Sequence, residues 1–259
     1  MIPKVIHYCW FGRNELPESV KKCIESWKKY CPDYKIVCWN EDNFNIFEYS
    51  YTNDAYKEKK WAFVSDVARL KVVYDNGGIY LDTDVELIKP LDELLSYSSF
   101  WAFENEEHIA TGLGFGACKN NSFVKALLND YEKMSFYNDA GKPVGVPCTD
   151  LNTTVFRELG VCINNKTLII DNNIFLATEY MCPIDYNTGR KRITNKTISI
   201  HHYDSSWHSK RENQIHRIEV FTRNMFGEKI SKKITNCFIL FFDGGIKAVF
   251  NKIVSKGYD

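Results

Sequence analysis

The run WAFVSDVARLKVVYDNGGIYLDTDVE, residues 61 to 86, constrains this chain more than any other stretch. Its first part reads as a helix closed by Asn-Gly-Gly, where glycine accepts the left-handed backbone of a helix cap. At 100° per residue its apolar side chains fall almost all the way round, the pattern of a helix buried on most sides. Ser65, Asp66 and Arg69 interrupt that surface within one arc of roughly a quarter to a third of the circumference. A buried charge needs a partner. Two readings follow: Asp66 and Arg69 pair with each other at i, i+3, or the arc faces a polar ligand beside the strand that the glycine turn brings back alongside.

That strand ends in Asp82 and Asp84. Residues i and i+2 of a strand project from one face, so both carboxylates are expected to point at one spot. Like charges that close repel unless a cation sits between them. Two carboxylates together with substrate phosphates make a usual protein site for a hard divalent ion, Mg²⁺ or Mn²⁺. The competing reading is a strand running into an ordinary polar turn.

The N-terminal segment supplies the fold class. KVIHYCW reads as a buried strand stopping at Gly12. In LPESVKKCIESWKKYCP the apolar residues Val20, Cys23, Ile24, Trp27, Tyr30 and Cys31 recur at helical spacing, with Pro17 near the start and Pro32 beyond the end. KIVCW is a second strand. Strand, helix, strand is the opening of an α/β domain, in which ligands bind beyond the carboxyl ends of the strands. Trp10 sits at such an end, where it either packs in the core or stacks on a nucleobase. Further on, SFWAFE reads as a strand, TGLGFGACK as a Gly-rich segment letting backbone approach a ligand, and NSFVKALLNDYEKM as a helix capped by Asn121 or Ser122. TDLNTTVFRELG reads as a short helix capped by Thr149 or Asp150, and KTISIHHYDSSWHSK as a strand ending in a polar, aromatic loop.

The 259 residues, 44% hydrophobic, suffice for one large domain, and no linker or repeat divides them. Equal totals of 33 basic and 33 acidic residues give no field that would attract nucleic acid. The charge is uneven, however: from Lys210 onward ten basic residues face five acidic ones, so residues 210–259 read as a basic, helical C-terminal extension that packs on the domain or touches an anionic membrane surface. Nine scattered cysteines without a C-x-x-C pair indicate neither a disulfide framework nor zinc, and fit a reducing cytoplasm. The first residues lack a leader pattern, and CFILFF is too short to span a bilayer.

Taken together, IHYCWFG, FVSDVARLKVVYDNGGIYLDTDVE and IHHYDSSW resemble glycosyltransferase family 32. That family has a GT-A fold, a Rossmann-like mixed sheet flanked by helices, with a DXD motif. It includes bacterial capsular polysaccharide and lipopolysaccharide transferases, yeast-type mannosyltransferases and the glucosylating domains of clostridial toxins. The resemblance implies a metal-dependent, retaining transfer of a hexose from a nucleotide-diphosphate sugar to a polysaccharide or lipid-linked glycan. UDP-glucose or UDP-galactose is favoured as donor, and GDP-mannose is the other candidate. By the same resemblance Trp10 stacks on the base, Ser65, Asp66 and Arg69 belong to the donor site, Asp84 binds the metal directly, and Asp82 acts through water, ribose or sugar. The late loop brings His202, as a third metal ligand, with Ser206 and Trp207 over the diphosphate, as a lid that orders on donor and metal. The histidine is doubled here, and the sequence does not separate His201 from His202. Glu104 and Asp150 are further carboxylates that could serve the chemistry. Two rival readings are a haloacid-dehalogenase-like phosphatase, whose D-x-D motif LDTDV also matches, and a non-catalytic nucleotide-sugar-binding module.

Overall fold

The computed structural model describes residues 1–204 and 210–255, with side chains for 1–204 and 211–242. Strand β1 (Val5–Cys9) is followed by helix α1 (Glu18–Tyr30), and strand β2 (Lys35–Trp39) returns parallel to β1 with Ile6 opposite Ile36. Helix α1 buries Val20, Cys23, Ile24 and Trp27, the expected i, i+3, i+4, i+7 stripe. Helices α2 (Ser50–Lys57) and α3 (Trp61–Asn76) follow. Helix α3 ends where the sequence ends it, on Gly77 with φ 68°, a backbone that L side chains rarely adopt.

The chain then enters β3 (Gly78–Tyr80), parallel to β1 on the side away from β2. After β4 (Val85–Leu87) come β5 (Ser99–Ala102), β6 (Phe115–Ala117), α4 (Ser122–Lys133), α5 (Cys148–Glu158), β7 (Leu168–Ile170), β8 (Asn173–Leu176), α6 (Thr178–Met181) and β9 (Ser199–His201). Seven strands form one mixed sheet in the order β2-β1-β3-β6-β5-β8-β7, while β4 and β9 form a separate antiparallel pair. Parallel pairing in the first three strands gives way to antiparallel pairing at β3–β6. One apolar core gathers α2, α3, α4 and α5, and a second gathers α1, β4 and the segment at Leu91–Leu95. The expected α/β class and Rossmann-like mixed sheet are present.

Local expectations differ in three places. Asp82 and Asp84 lie in a turn rather than on a strand: β3 stops at Tyr80, and the Val85 amide donates to the Asp82 carbonyl at 3.0 Å. Helix α5 begins at Cys148, with Pro147 before it and no side-chain cap from Thr149 or Asp150. Proline at a helix start forfeits no needed hydrogen bond, and the start lies two or three residues earlier than the Thr-Asp signal implied. In α4 the cap is Asn121, whose side chain accepts from the amides of Phe123 and Val124.

The chain divides into two compact units, Met1–Ile184 with Lys191–Tyr203, and Asp185–Arg190 with Asp204–Asp259. Within the second, helices α7 (Lys210–Phe226) and α8 (Glu228–Ser255) pack on one another across Gly227. Among the described residues no helix is long and apolar enough to cross a membrane.

Candidate active site

The turn after β3 and the pairing of β4 with β9 build the site. The Leu81 amide donates to the His7 carbonyl at 3.1 Å, which holds the end of β3 against β1. Val85 faces His201 across the β4–β9 pair, and the His202 amide donates to the Asp84 carbonyl at 3.0 Å. This register lays a histidine beside the two aspartates. Asp82, Asp84 and His201 each offer an atom in a group whose members lie within 4.8 Å of one another. His201 Nε2 is 3.2 Å from Asp84 Oδ1.

His202 points elsewhere, its Nε2 lying 2.9 Å from Glu86 Oε2 at the surface. Adjacent strand residues project from opposite faces, so only one of the pair can reach the aspartates, and the register selects His201.

Helix α3 delivers the second half. Arg69 is buried, with Nη2 3.0 Å from Asp66 Oδ1 and 3.3 Å from Asp82 Oδ1. The first reading of the polar arc is realised, since Asp66 pairs with Arg69 in the helix, and Arg69 also reaches across to the Asp-x-Asp turn. Arg69 donates as well to Thr111 Oγ1 and, from Nε, to the Ser65 carbonyl. Its guanidinium lies over the Tyr80 ring, while the Tyr80 hydroxyl donates to Asp82 Oδ1 at 2.8 Å. Ser65 is half-buried and contributes its main chain.

Burial sets the electrostatics. It raises the Asp66 pKa to about 6, against the lowering pull of Arg69. Burial also raises Asp82, which Arg69 opposes and Asp84 reinforces. For His201, burial favours the neutral ring, but Asp84, then Asp82 and Glu104, outweigh it and raise the pKa. A protonated histidine beside a pair of carboxylates relieves their mutual repulsion.

The donor set fits a hard or borderline divalent ion. Two carboxylates and an imidazole converge, and His201 Nδ1 is buried without a hydrogen-bond partner among the described residues.

Other candidates fall at different distances from this centre. Trp10 is half-buried just past β1, its indole donating to the Asn14 carbonyl at 2.7 Å. Glu104 is reached by the Tyr203 hydroxyl at 3.5 Å, and its pKa is raised by burial, with His201 and then His108 opposing. Asp150 is at the surface with His108 Nε2 at 3.3 Å. Ser206 and Trp207 lie outside the described residues.

Three participants escaped the sequence reading. Tyr203 packs edge-on against His201 at 4.3 Å, brings its hydroxyl within 2.9 Å of Cys182 Sγ, and holds φ at 54°, a strained value for a bulky residue. Cys148 approaches Arg69 at 3.9 Å. Gly112 passes so close to the turn that an added Cβ would meet Asp82 Oδ2 at 2.6 Å and Arg69 Nη1 at 3.4 Å. The Gly-rich segment thus leaves room for the Asp82 carboxylate, where the sequence suggested close approach to a ligand. Gly112→Ala should displace Asp82 and lower metal affinity in a protein of nearly unchanged melting temperature; unchanged metal binding by calorimetry would show that the turn has room to shift.

Residues 17–101 match the family model described as a glycosyltransferase sugar-binding region containing a DXD motif, and the match spans Asp66, Arg69, Asp82 and Asp84. This segment is similar to the sugar-binding region of DXD-containing glycosyltransferases. Among curated relatives, inositol phosphoceramide mannosyltransferase 3 of Schizosaccharomyces pombe is 30% identical over 143 residues, 52% of this chain and 38% of that protein. Glycosyltransferase L373 of Acanthamoeba polyphaga mimivirus is 32% identical over 117 residues, 43% of this chain and 47% of that protein. Mannosyl phosphorylinositol ceramide synthase SUR1 of Saccharomyces cerevisiae is 27% identical over 142 residues, 52% of this chain and 37% of that protein. The chain spans about two fifths of the length of the first curated relatives it matches. Among solved structures, PaToxG glycosyltransferase aligns with TM-score 0.47 at 20% identity over 61% of this chain and 70% of that one.

Proposed function

We propose that the chain is a metal-dependent, retaining glycosyltransferase moving a hexose from a nucleotide-diphosphate sugar to a glycan or lipid-linked acceptor. The observation that carries this reading is the convergence of Asp82, Asp84 and His201 beside the buried Asp66–Arg69 pair. A divalent cation, Mn²⁺ or Mg²⁺, held by those three residues would supply charge neutralisation for the departing diphosphate.

The chain's own residues do the rest. Arg69 fixes Asp82 in place, so that one face of the donor site is preorganised before substrate arrives. Trp10, at a strand end, offers a ring for the base. Glu104 is a half-buried carboxylate that acts electrostatically on His201, and it suits stabilisation of positive charge developing on the sugar.

Relatives named as mannosyltransferases bring GDP-mannose level with UDP-glucose and UDP-galactose as donor. Their names, which join mannose to inositol phosphoceramide, favour a lipid-linked acceptor. A donor-hydrolysis panel with these three sugars and Mn²⁺ tests the reading: one donor should be cleaved, the activity should vanish in chelator, and the released sugar should keep its anomeric configuration. Cleavage of a generic phosphate ester without cleavage of any donor would make the protein a phosphatase. Donor binding without turnover would make it a binding module.

Trp10→Ala should weaken donor binding by about 1 to 3 kcal/mol, the worth of one base stacked on an aromatic ring. Titration calorimetry with the free nucleoside diphosphate measures this directly. Unchanged affinity in a folded variant would return Trp10 to a packing role.

A further inference from the structure

The α7–α8 pair buries hydroxyl residues beside half-buried apolar ones and leaves large apolar side chains outside. In α1, α3 and α4 the buried positions are mainly apolar, whereas the seam between α7 and α8 buries Thr222, Ser231 and Thr235. The Thr222 and Ser231 hydroxyls lie 2.7 Å apart, and Ser231 also donates to the Glu219 carbonyl at 2.9 Å. Outside are Phe221, 63% exposed, Met225, 60% exposed, and Phe226, together with Ile230, Phe238 and Phe241 on α8. Leaving these apolar side chains in water forgoes the stabilisation that their burial would give. Small hydroxyl residues at a helix seam with large apolar residues outside are what packs helices whose surroundings are apolar.

The charge around this face narrows the occupant. Ile230, Cys237 and Phe241 fall within about 40° on α8, with Lys233 at one border, and Arg217 borders Phe221 on α7. The segment from Lys210 carries ten basic residues against five acidic. Two copies facing each other through this surface would bring like charges together, which disfavours a dimer. No described helix is long and apolar enough to cross a bilayer, so the pair would lie on the surface rather than span it. We propose that the exposed face of α7–α8 docks the protein onto an anionic lipid bilayer, its aromatic residues entering the headgroup region and its lysines and arginines meeting the lipid charge.

The test is cosedimentation of the full chain with phosphatidylcholine vesicles containing one third phosphatidylglycerol, beside pure phosphatidylcholine vesicles, at low and high salt. Binding should be about tenfold weaker to the neutral vesicles and at high salt. The double variant Phe221→Ser, Phe241→Ser and the charge variant Lys229→Glu, Lys233→Glu should each lose binding about tenfold while keeping the wild-type melting curve, since all four positions are exposed. Wild-type protein that ignores anionic vesicles, or binds neutral ones equally, overturns the proposal. So does a dimer in light scattering that the serine double variant dissolves, which would make the face a contact between copies. Donor hydrolysis is read separately on the same samples, so failure of the transferase reading and failure of the docking reading are distinguishable.

Discussion

Asp84→Asn should lower Mn²⁺ affinity by about 100-fold or more and abolish donor cleavage at ordinary metal concentrations, because a direct carboxylate ligand contributes more than the outer contacts whose loss costs 10–100-fold. Asp82→Asn should lose less. Its carboxylate already accepts from Tyr80 and faces Arg69, and asparagine keeps an oxygen for the Tyr80 hydroxyl. The histidines give a sharper contrast. His201→Ala should weaken Mn²⁺ binding strongly, whereas His202→Ala should leave it within about twofold, since His202 is engaged with Glu86 at the surface. Equal effects of the two histidine variants would mean that the β4–β9 register does not select the ligand. Metal affinity should also fall with acid. The raised pKa of His201 means that proton and metal compete for the imidazole from above its ordinary pKa downward, so the apparent dissociation constant should rise by about tenfold per pH unit below that point. Calorimetric or spin-resonance titration with Mn²⁺ measures all of these without turnover.

Arg69→Met should cost about 3–5 kcal/mol of stability, the usual cost of leaving a buried charge without its partner. The methionine fills similar volume, so the loss reports charge rather than a cavity. Asp66 and Asp82 would be left facing each other at the base of the site. The loss should depend on pH with a definite sign. Asp66 already titrates at about 6 in the folded chain, above the 3.8 of an ordinary aspartate, so its favourable contribution is complete below about pH 4 and declines as pH rises through 6. Without Arg69 that pKa climbs further, and the variant should be closer to wild type at pH 5 than at pH 8. Asp66→Asn should remove much of this pH dependence in either background. Denaturant melts at the two pH values decide it. A loss under about 1 kcal/mol at pH 8 would show that water reaches the cluster and screens it, as at a surface pair.

Much of this molecule is legible in local sequence because local rules set it. Helix α3 runs from Trp61 to Asn76, the stretch that apolar periodicity and the Asn-Gly-Gly stop delimit. Those signals act within a few residues: a cap needs a glycine at one φ, and burial on most sides needs an apolar circumference. The arc of Ser65, Asp66 and Arg69 was legible for the same reason, as a charged interruption of a buried helix that must find partners. The Asn-Gly-Gly turn then put the strand expected to carry Asp82 and Asp84 beside it.

What sequence could not settle is whatever depends on pairings distant along the chain. Strand alternation predicted that Asp82 and Asp84 converge through a pleat, yet they converge through a turn, because β3 ends at Tyr80 and the Val85 amide closes back on Asp82. Between His201 and His202 no local signal exists: they are adjacent histidines at the end of one short strand, and a shift of register by one residue would exchange them. The pairing of Val85 with His201, 116 residues away, makes the choice. Tyr203 and Gly112 were likewise invisible, since their roles are to touch His201 and to leave space for Asp82. In the second unit the basic composition of the tail was plain from the sequence, whereas the placement of hydroxyls inside the helix pair and aromatic rings outside it depends on which faces of α7 and α8 meet. Propensity and periodicity say that a helix or strand forms and which of its faces is apolar; packing between segments far apart in the chain decides what each face meets.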